Sequence, residues 1–281
     1  MYKRILLCTD GSPGAGVAGD CAIWFAKKLG ARLQVLYITD IRLLEGPWIS
    51  DLSGALGAQP YAALVPKLQQ LQTEKAAMVL AAAEQRCRDA QIACETAHET
   101  GSLVQVMLAY EKHADLVVLG QHGEHAQWSH NMLGSSVERM VRSSIKPCLV
   151  TPEEFEPVTR MLIAYDGSIE SSKALHAGID LALTLAAEVT IITVCQPEAE
   201  EAASKILNEA VQLAQDHGLK PHAQLVHGNA ETEILAHREK NGPMLIVMGA
   251  YGHTRIRELI LGSTTSHVLL KARVPVLLVR G

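Results

Sequence analysis

The chain has 281 residues, of which 48% are apolar and 20% charged. That balance supplies a packed core and a polar surface, and it excludes disordered and low-complexity classes. Lys plus Arg number 25 against 30 Asp plus Glu, a net charge of −5, whereas a general nucleic-acid or anionic-membrane binder would carry a basic footprint. At roughly 100–200 residues per domain, the length suits one large domain or two modest ones.

The first apolar run, from Ile5, stops at Asp10, too short for a signal-peptide core. No stretch approaches the ~18 unbroken apolar residues of a membrane helix. Six scattered cysteines (Cys8, Cys21, Cys87, Cys94, Cys148, Cys195) form no C-x-x-C pair and read as reduced thiols. The expectation is a cytoplasmic protein with no membrane partner. With 2 Phe, 3 Trp and 6 Tyr, the core must be aliphatic, as in α/β layers whose strands are buried on both faces.

The chain repeats itself. Residues 4–38 align with 160–194 without a gap, and ten of 35 positions are identical, including Asp10-Gly11-Ser12 with Asp166-Gly167-Ser168. Gly120, Gly134 and Pro147 recur as Gly249, Gly262 and Pro275 at a shorter offset, so the first copy carries about 28 extra residues. Copies this long indicate duplicated domains. Pro152 to Pro157 brackets three acids and reads as a short stiff connection. The expected division is therefore 1–152, a linker at 153–157, and 158–281.

Each copy reads as alternating strands and helices. The first ends its opening strand at Asp10 and has a Pro/Gly-containing insertion near 45–60, followed by a longer helix. In the second, Met161–Tyr165 is a strand, Ser168 caps a helix reaching about Ala187, and Val189–Val194 is β-branched and strand-like. Residues 198–217 show a helical apolar face, 223–227 a weaker strand, 231–241 a short helix and 244–248 an apolar strand. A helix over 262–272 and a strand over 275–279 close the unit. Right-handed crossovers fold βαβαβαβαβ into a doubly wound five-stranded parallel sheet of order 3-2-1-4-5.

Ligands bind such sheets beyond the carboxyl ends of the strands where the winding reverses, here between strands 1 and 4. Asp166-Gly167-Ser168 faces Gly249-Ala250-Tyr251-Gly252 there; the first copy offers Asp10-Gly11-Ser12 and Gly120-Gln121-His122-Gly123. Nine residues after Gly252, Gly262-Ser263-Thr264 opens the last helix. Glycines admit close approach of an anion, and a helix N-terminus offers free N–H groups. The same glycines could equally end a strand, with Ser263 capping a helix. The facing aspartate, able to accept ribose hydroxyls or hold a metal, favours a nucleotide.

The D-G-S after strand 1, the G-x-x-G-(nine)-G-S-T after strand 4 and the final V-P-V-L-L-V resemble the universal stress protein family, in both halves. The resemblance implies a tandem of two such domains, of the ATP-binding branch, dimerising through the last strand. One chain would then pack edge strand to edge strand as an intrachain pseudo-dimer, and association of two chains is compatible with it. Carried over, the site is Ala164, Asp166, Val194, Met248, Gly249, Gly252, Gly262, Ser263, Thr264 and Thr265; separately, the second loop supplies Arg255 and Arg257, whose guanidiniums suit a triphosphate or else belong to a solvated face. The first-half positions are Cys8, Asp10, Ile38, Leu119, Gly120, Gly123, Gly134, Ser135 and Ser136. Ten residues separate Gly123 from Gly134, and that loop holds Glu124 but no Lys or Arg. The expectation is ATP in the second crevice, with Mg or Mn, and AMP or a related ligand as compatible with the first.

Competing readings remain at this stage. Gly14-x-Gly16-x-x-Gly19 followed by Asp40 matches a dinucleotide fingerprint and points to an NAD-binding oxidoreductase, though its glycines begin several residues past the strand. His122, His125 and His130 share a loop, in no standard zinc spacing. An interaction module with vestigial crevices is the third reading. No Walker A sequence, G-x-S-x-G or acid–base pair occurs, so slow ATP hydrolysis is the most the sequence supports. The protein partner, if any, has no signature.

Overall fold

The computed structural model describes residues 2–42, 58–123, 133–250 and 261–280. The first half contains β1 (Arg4–Thr9), α1 (Pro13–Leu29), β2 (Arg32–Asp40), α2 (Ala58–Asp89), β3 (Cys94–Gly101), α3 (Leu103–Glu111), β4 (Leu116–Gly120), α4 (Ser135–Ser143) and β5 (Cys148–Thr151). The second contains β6 (Arg160–Ala164), α5 (Ile169–Leu185), β7 (Glu188–Cys195), α6 (Glu200–Asp216), β8 (His222–His227), α7 (Ala230–Asn241), β9 (Leu245–Gly249), α8 (Ser263–Lys271) and β10 (Val276–Val279). Each half is thus a doubly wound α/β unit. Most of the insertion near 45–60 lies outside the described residues, while α2, at 32 residues, is the longer helix expected after it.

The ten strands form one sheet in the order β3-β2-β1-β4-β5-β10-β9-β6-β7-β8. Within each half the pairing is parallel and the order is 3-2-1-4-5, as expected. At the centre β5 meets β10 antiparallel, with Leu277 opposite Leu149. Alternate strand residues feed two apolar layers. Ile5, Leu7, Ile163, Leu149 and Leu277 share one with α1, α2, α5 and α6. Leu6, Val117, Leu162, Ile246 and Leu278 share the other with α3, α4, α7 and α8. Both layers run through both halves. In the connecting segment, Phe155 packs edge-on against Trp24 of α1, ring centroids 5.8 Å apart.

The repeat shows how local chemistry sets the helix ends. Ser12 and Ser168 cap α1 and α5 by accepting the N–H of Ala15 and Ser171 at 3.2 and 3.1 Å. Pro13 occupies the first turn of α1, so the helix begins before Gly14. Gly14, Gly16 and Gly19 therefore lie inside α1, and the Gly16 N–H donates to the Ser12 carbonyl. Helical backbone there leaves no glycine turn to receive a pyrophosphate, which removes the dinucleotide reading. What Gly14 does serve is packing: a Cβ on it would fall 2.8 Å from the His122 carbonyl oxygen.

Both first helices end in a left-handed residue, Gly30 at φ 62° in one half and Ala186 at φ 52° in the other. An L-residue with a Cβ is strained there, and glycine is not. Ala186 is exposed, so nothing else constrains the position. Ala186→Gly is expected to stabilise the chain by about 0.5–1 kcal/mol, read as a higher midpoint in urea denaturation; an unchanged or lower midpoint would refute the strain argument.

Candidate functional site

β6 lies beside β9 and β7 in the sheet, so their carboxyl ends open one crevice where the helices pass to opposite faces. Asp166 follows β6. Its Oδ1 accepts the Ser168 N–H at 3.0 Å, folding the turn back toward α5. Gly167 takes φ 76°, and a Cβ there would also meet Ile206 of α6 at 3.2 Å. Asp10 repeats the arrangement: Oδ1 accepts the Ser12 N–H at 2.9 Å, with Gly11 at φ 78°. The aspartate thus shapes its own loop while remaining part-buried at the crevice edge.

Gly249 closes β9 against the start of α5. A Cβ on it would lie 2.9 Å from Glu170 carbon atoms and from the Ser171 backbone nitrogen. Gly120 makes the same approach, 3.0 Å from the Gly14 carbonyl oxygen. These glycines are required by strand-to-helix packing, whatever else they serve. At Gly123 a Cβ would fall 2.8 Å from Asp10 Oδ2, which places the strand-4 loop of the first half directly against its aspartate.

The opposite wall of the second crevice is the start of α8. Gly262 is its N-cap, in extended backbone and without a side-chain capping bond. Among the described residues no cap side chain takes up the first N–H groups, which at a helix start can donate to an anion. Ser263 is exposed. Thr264 donates its hydroxyl to Glu231 of α7 at 3.1 Å. Thr265 is only 3% exposed and donates to the Ala250 carbonyl at 3.3 Å, so it stands behind the wall and pins the loop after β9 to the helix. Ala164, Val194 and Gly249 are half-buried at the strand ends, and Met248 is buried beneath them. Gly252, Arg255 and Arg257 lie outside the described residues.

The first crevice has the same outline. Gly134 caps α4 without a side-chain bond, and the first turn contains Glu138, whose carboxylate pairs with Arg142 at 3.4 Å. Ser135 and Ser136 begin that helix. Ile38 and Leu119 are buried near the ends of β2 and β4. Cys8, at the position of Ala164, is buried, and burial together with Cys148 and Glu111 pushes its thiol far up, so it is a neutral wall group and no nucleophile. Of the loop histidines, His122 is half-buried; Glu124, His125 and His130 lie outside the described residues. Among the described residues no three His, Cys, Asp or Glu side chains gather as a metal cluster, and no helix is long and apolar enough to cross a membrane.

Two participants escaped the sequence reading. Glu231, in the first turn of α7, accepts the Thr264 hydroxyl. Gln121, between the glycines of the first loop, is buried and reaches into the other half, its Nε2 donating to the Leu270 carbonyl of α8 at 3.3 Å. No local pattern announces either, because each depends on a partner more than 30 positions away.

The chain is 38% identical over 286 residues to universal stress protein Slr1230 of Synechocystis sp., an alignment covering 99% of this chain and 100% of that protein. It is 31% identical over 145 residues to universal stress protein YxiE of Bacillus subtilis, covering 43% of this chain. Among solved structures, a universal stress protein of Archaeoglobus fulgidus superposes over 99% of this chain and 98% of its own, with a TM-score of 0.77 at 22% identity. A protein of Pseudomonas aeruginosa described as a putative universal stress protein does so over 99% and 93%, with a TM-score of 0.64 at 19% identity. The model of the Universal stress protein family matches twice, over residues 1–152 and 157–280, and the chain belongs to that family in both of its halves.

Proposed function

We propose that the protein is an adenine-nucleotide-binding regulatory protein whose ATP site is the second crevice. The observation that carries this reading is the start of α8, a glycine N-cap without a side-chain bond, facing the aspartate turn of β6 across the switch point of the sheet. Free N–H groups and the positive helix end suit phosphates. Asp166 is the carboxylate that would meet ribose hydroxyls or a Mg or Mn ion carried by the phosphates. The loop sequence adds Arg255 and Arg257, and guanidinium groups make the stronger phosphate hydrogen bonds.

The reading is binding and signalling by occupancy, with slow hydrolysis at most, since among the described residues of the crevice none is placed as a nucleophile with its base. On this reading the chain is an intrachain pseudo-dimer divided at 153–157, which the antiparallel β5–β10 pairing supports. Mass spectrometry of ligand released from gently purified protein tests the proposal. Adenine nucleotide should appear, and calorimetry with ATP should give a saturable heat. Protein that carries no nucleotide and gives no heat would favour the interaction module.

A further inference from the structure

At the end of the sheet opposite the crevices, the first half contains a cavity of about 510 Å³ lined in part by Arg4, Arg32, Gln34, Tyr110 and His113. Beside it α3 stops at Glu111 after nine residues, whereas α7 in the other half runs for 12. Arg4 opens β1, Arg32 opens β2, and the two are register partners. Neighbouring strands lie about 4.8 Å apart, so two guanidinium side chains leave the same face side by side. Like charges directly opposite one another in a sheet are destabilising.

The second half solves the same position differently. There Arg160 is opposite Glu188, so the register sets opposite charges side by side. In the first half, among the described residues, neither Arg4 nor Arg32 has a carboxylate within ion-pair distance. Asp115 accepts the Lys3 and Arg4 backbone N–H groups at 2.7 and 2.9 Å and its carboxylate feels the charges of Lys146 and Arg4, so Arg4 is partly offset, while Glu99 accepts the Tyr110 hydroxyl at 2.7 Å. Glu95, opposite Gln34 on the edge strand, also lines the cavity. The groups lining the cavity are thus two guanidiniums, an amide, an imidazole, the Tyr110 ring and the Glu95 carboxylate, with Ala109 and Ala114 as its apolar wall; Ile5 and Leu33 turn their side chains to the opposite layer.

We propose that this cavity is a second ligand site, independent of the crevices, for a phosphomonoester with a small apolar body. A phosphomonoester carries roughly −1.5 to −2 charges at pH 7, matching two guanidiniums better than a single carboxylate does. Arginine's planar fork suits phosphate oxygens in pairs. The volume is that of ordinary small-molecule pockets.

Phenyl phosphate is a suitable probe, titrated calorimetrically into the full chain, with Arg32→Glu reproducing the pairing of the second half. Binding should weaken ten-fold or more in Arg32→Glu, whose unliganded melting temperature should equal or exceed the wild type. Arg4→Gln provides the same loss should the first variant fail to fold. Gly262→Val, which alters the ATP crevice, should leave phenyl phosphate binding unchanged. Absence of binding at millimolar probe, equal binding by wild type and both arginine variants, or loss in Gly262→Val alone would overturn the proposal.

Discussion

Replacing Leu277 by alanine is expected to cost about 2–5 kcal/mol of stability, among the largest effects available from one residue. Leu277 and its antiparallel partner Leu149 are each 1% exposed. They sit where β10 and β5 join the two halves, inside an apolar layer that also contains Val118 and Val247 from the strands on either side. Truncation there leaves a cavity flanked on both sides by strands that cannot close in, because their backbone bonds fix their spacing. The Gln121–Leu270 hydrogen bond also crosses the junction, so the two halves share polar as well as apolar contacts. Urea denaturation of the full chain measures the loss. A cost below about 1 kcal/mol would mean that the junction is loosely packed and that each half owes its stability to its own layers.

The halves, their strand order and the aspartate turns were legible because they rest on short-range chemistry repeated twice. A D-G-S after an apolar run demands a left-handed glycine and a capping serine, and both copies deliver the same turn. The G-x-G-x-x-G misled for the same reason: spacing alone cannot distinguish a glycine turn from a helix that Ser12 and Pro13 have already begun. The glycines after strand 4 were legible as conserved between copies of the repeat, but their packing role against α1 and α5 depends on distances between elements. Thr264 and Thr265 show the limit most clearly. Two adjacent hydroxyls read as equivalent donors, yet helical geometry turns one to Glu231 and the other to the Ala250 carbonyl. The Arg4–Arg32 pair could be read only once register was known, since 28 positions separate the two residues.

The two crevices can be told apart by a matched pair of variants. Gly262 and Gly134 cap α8 and α4 in the same extended backbone, φ −56° and −55°. Each has room for a Cβ, whose nearest contacts are 3.7 Å at Gly262 and 3.6 Å at Gly134. Valine should therefore be accommodated equally by the fold at either position, and differences in ATP binding will report on the ligand. A branched side chain at the cap screens the first N–H groups of the helix from a phosphate. In the second half this removes interactions backed by Ser263 and by a loop whose sequence carries Arg255 and Arg257. In the first half the helix already bears Glu138 in its first turn, which competes for the positive helix end, and the loop carries Glu124 and one extra residue. If a phosphate hydrogen bond involving a charged group is worth roughly 1.5–3 kcal/mol, loss of one weakens binding by about ten-fold or more. Calorimetry on the full chain should accordingly show ATP affinity falling at least that far in Gly262→Val and changing little in Gly134→Val. The reverse order would assign ATP to the first crevice, and equal losses would make the two sites equivalent.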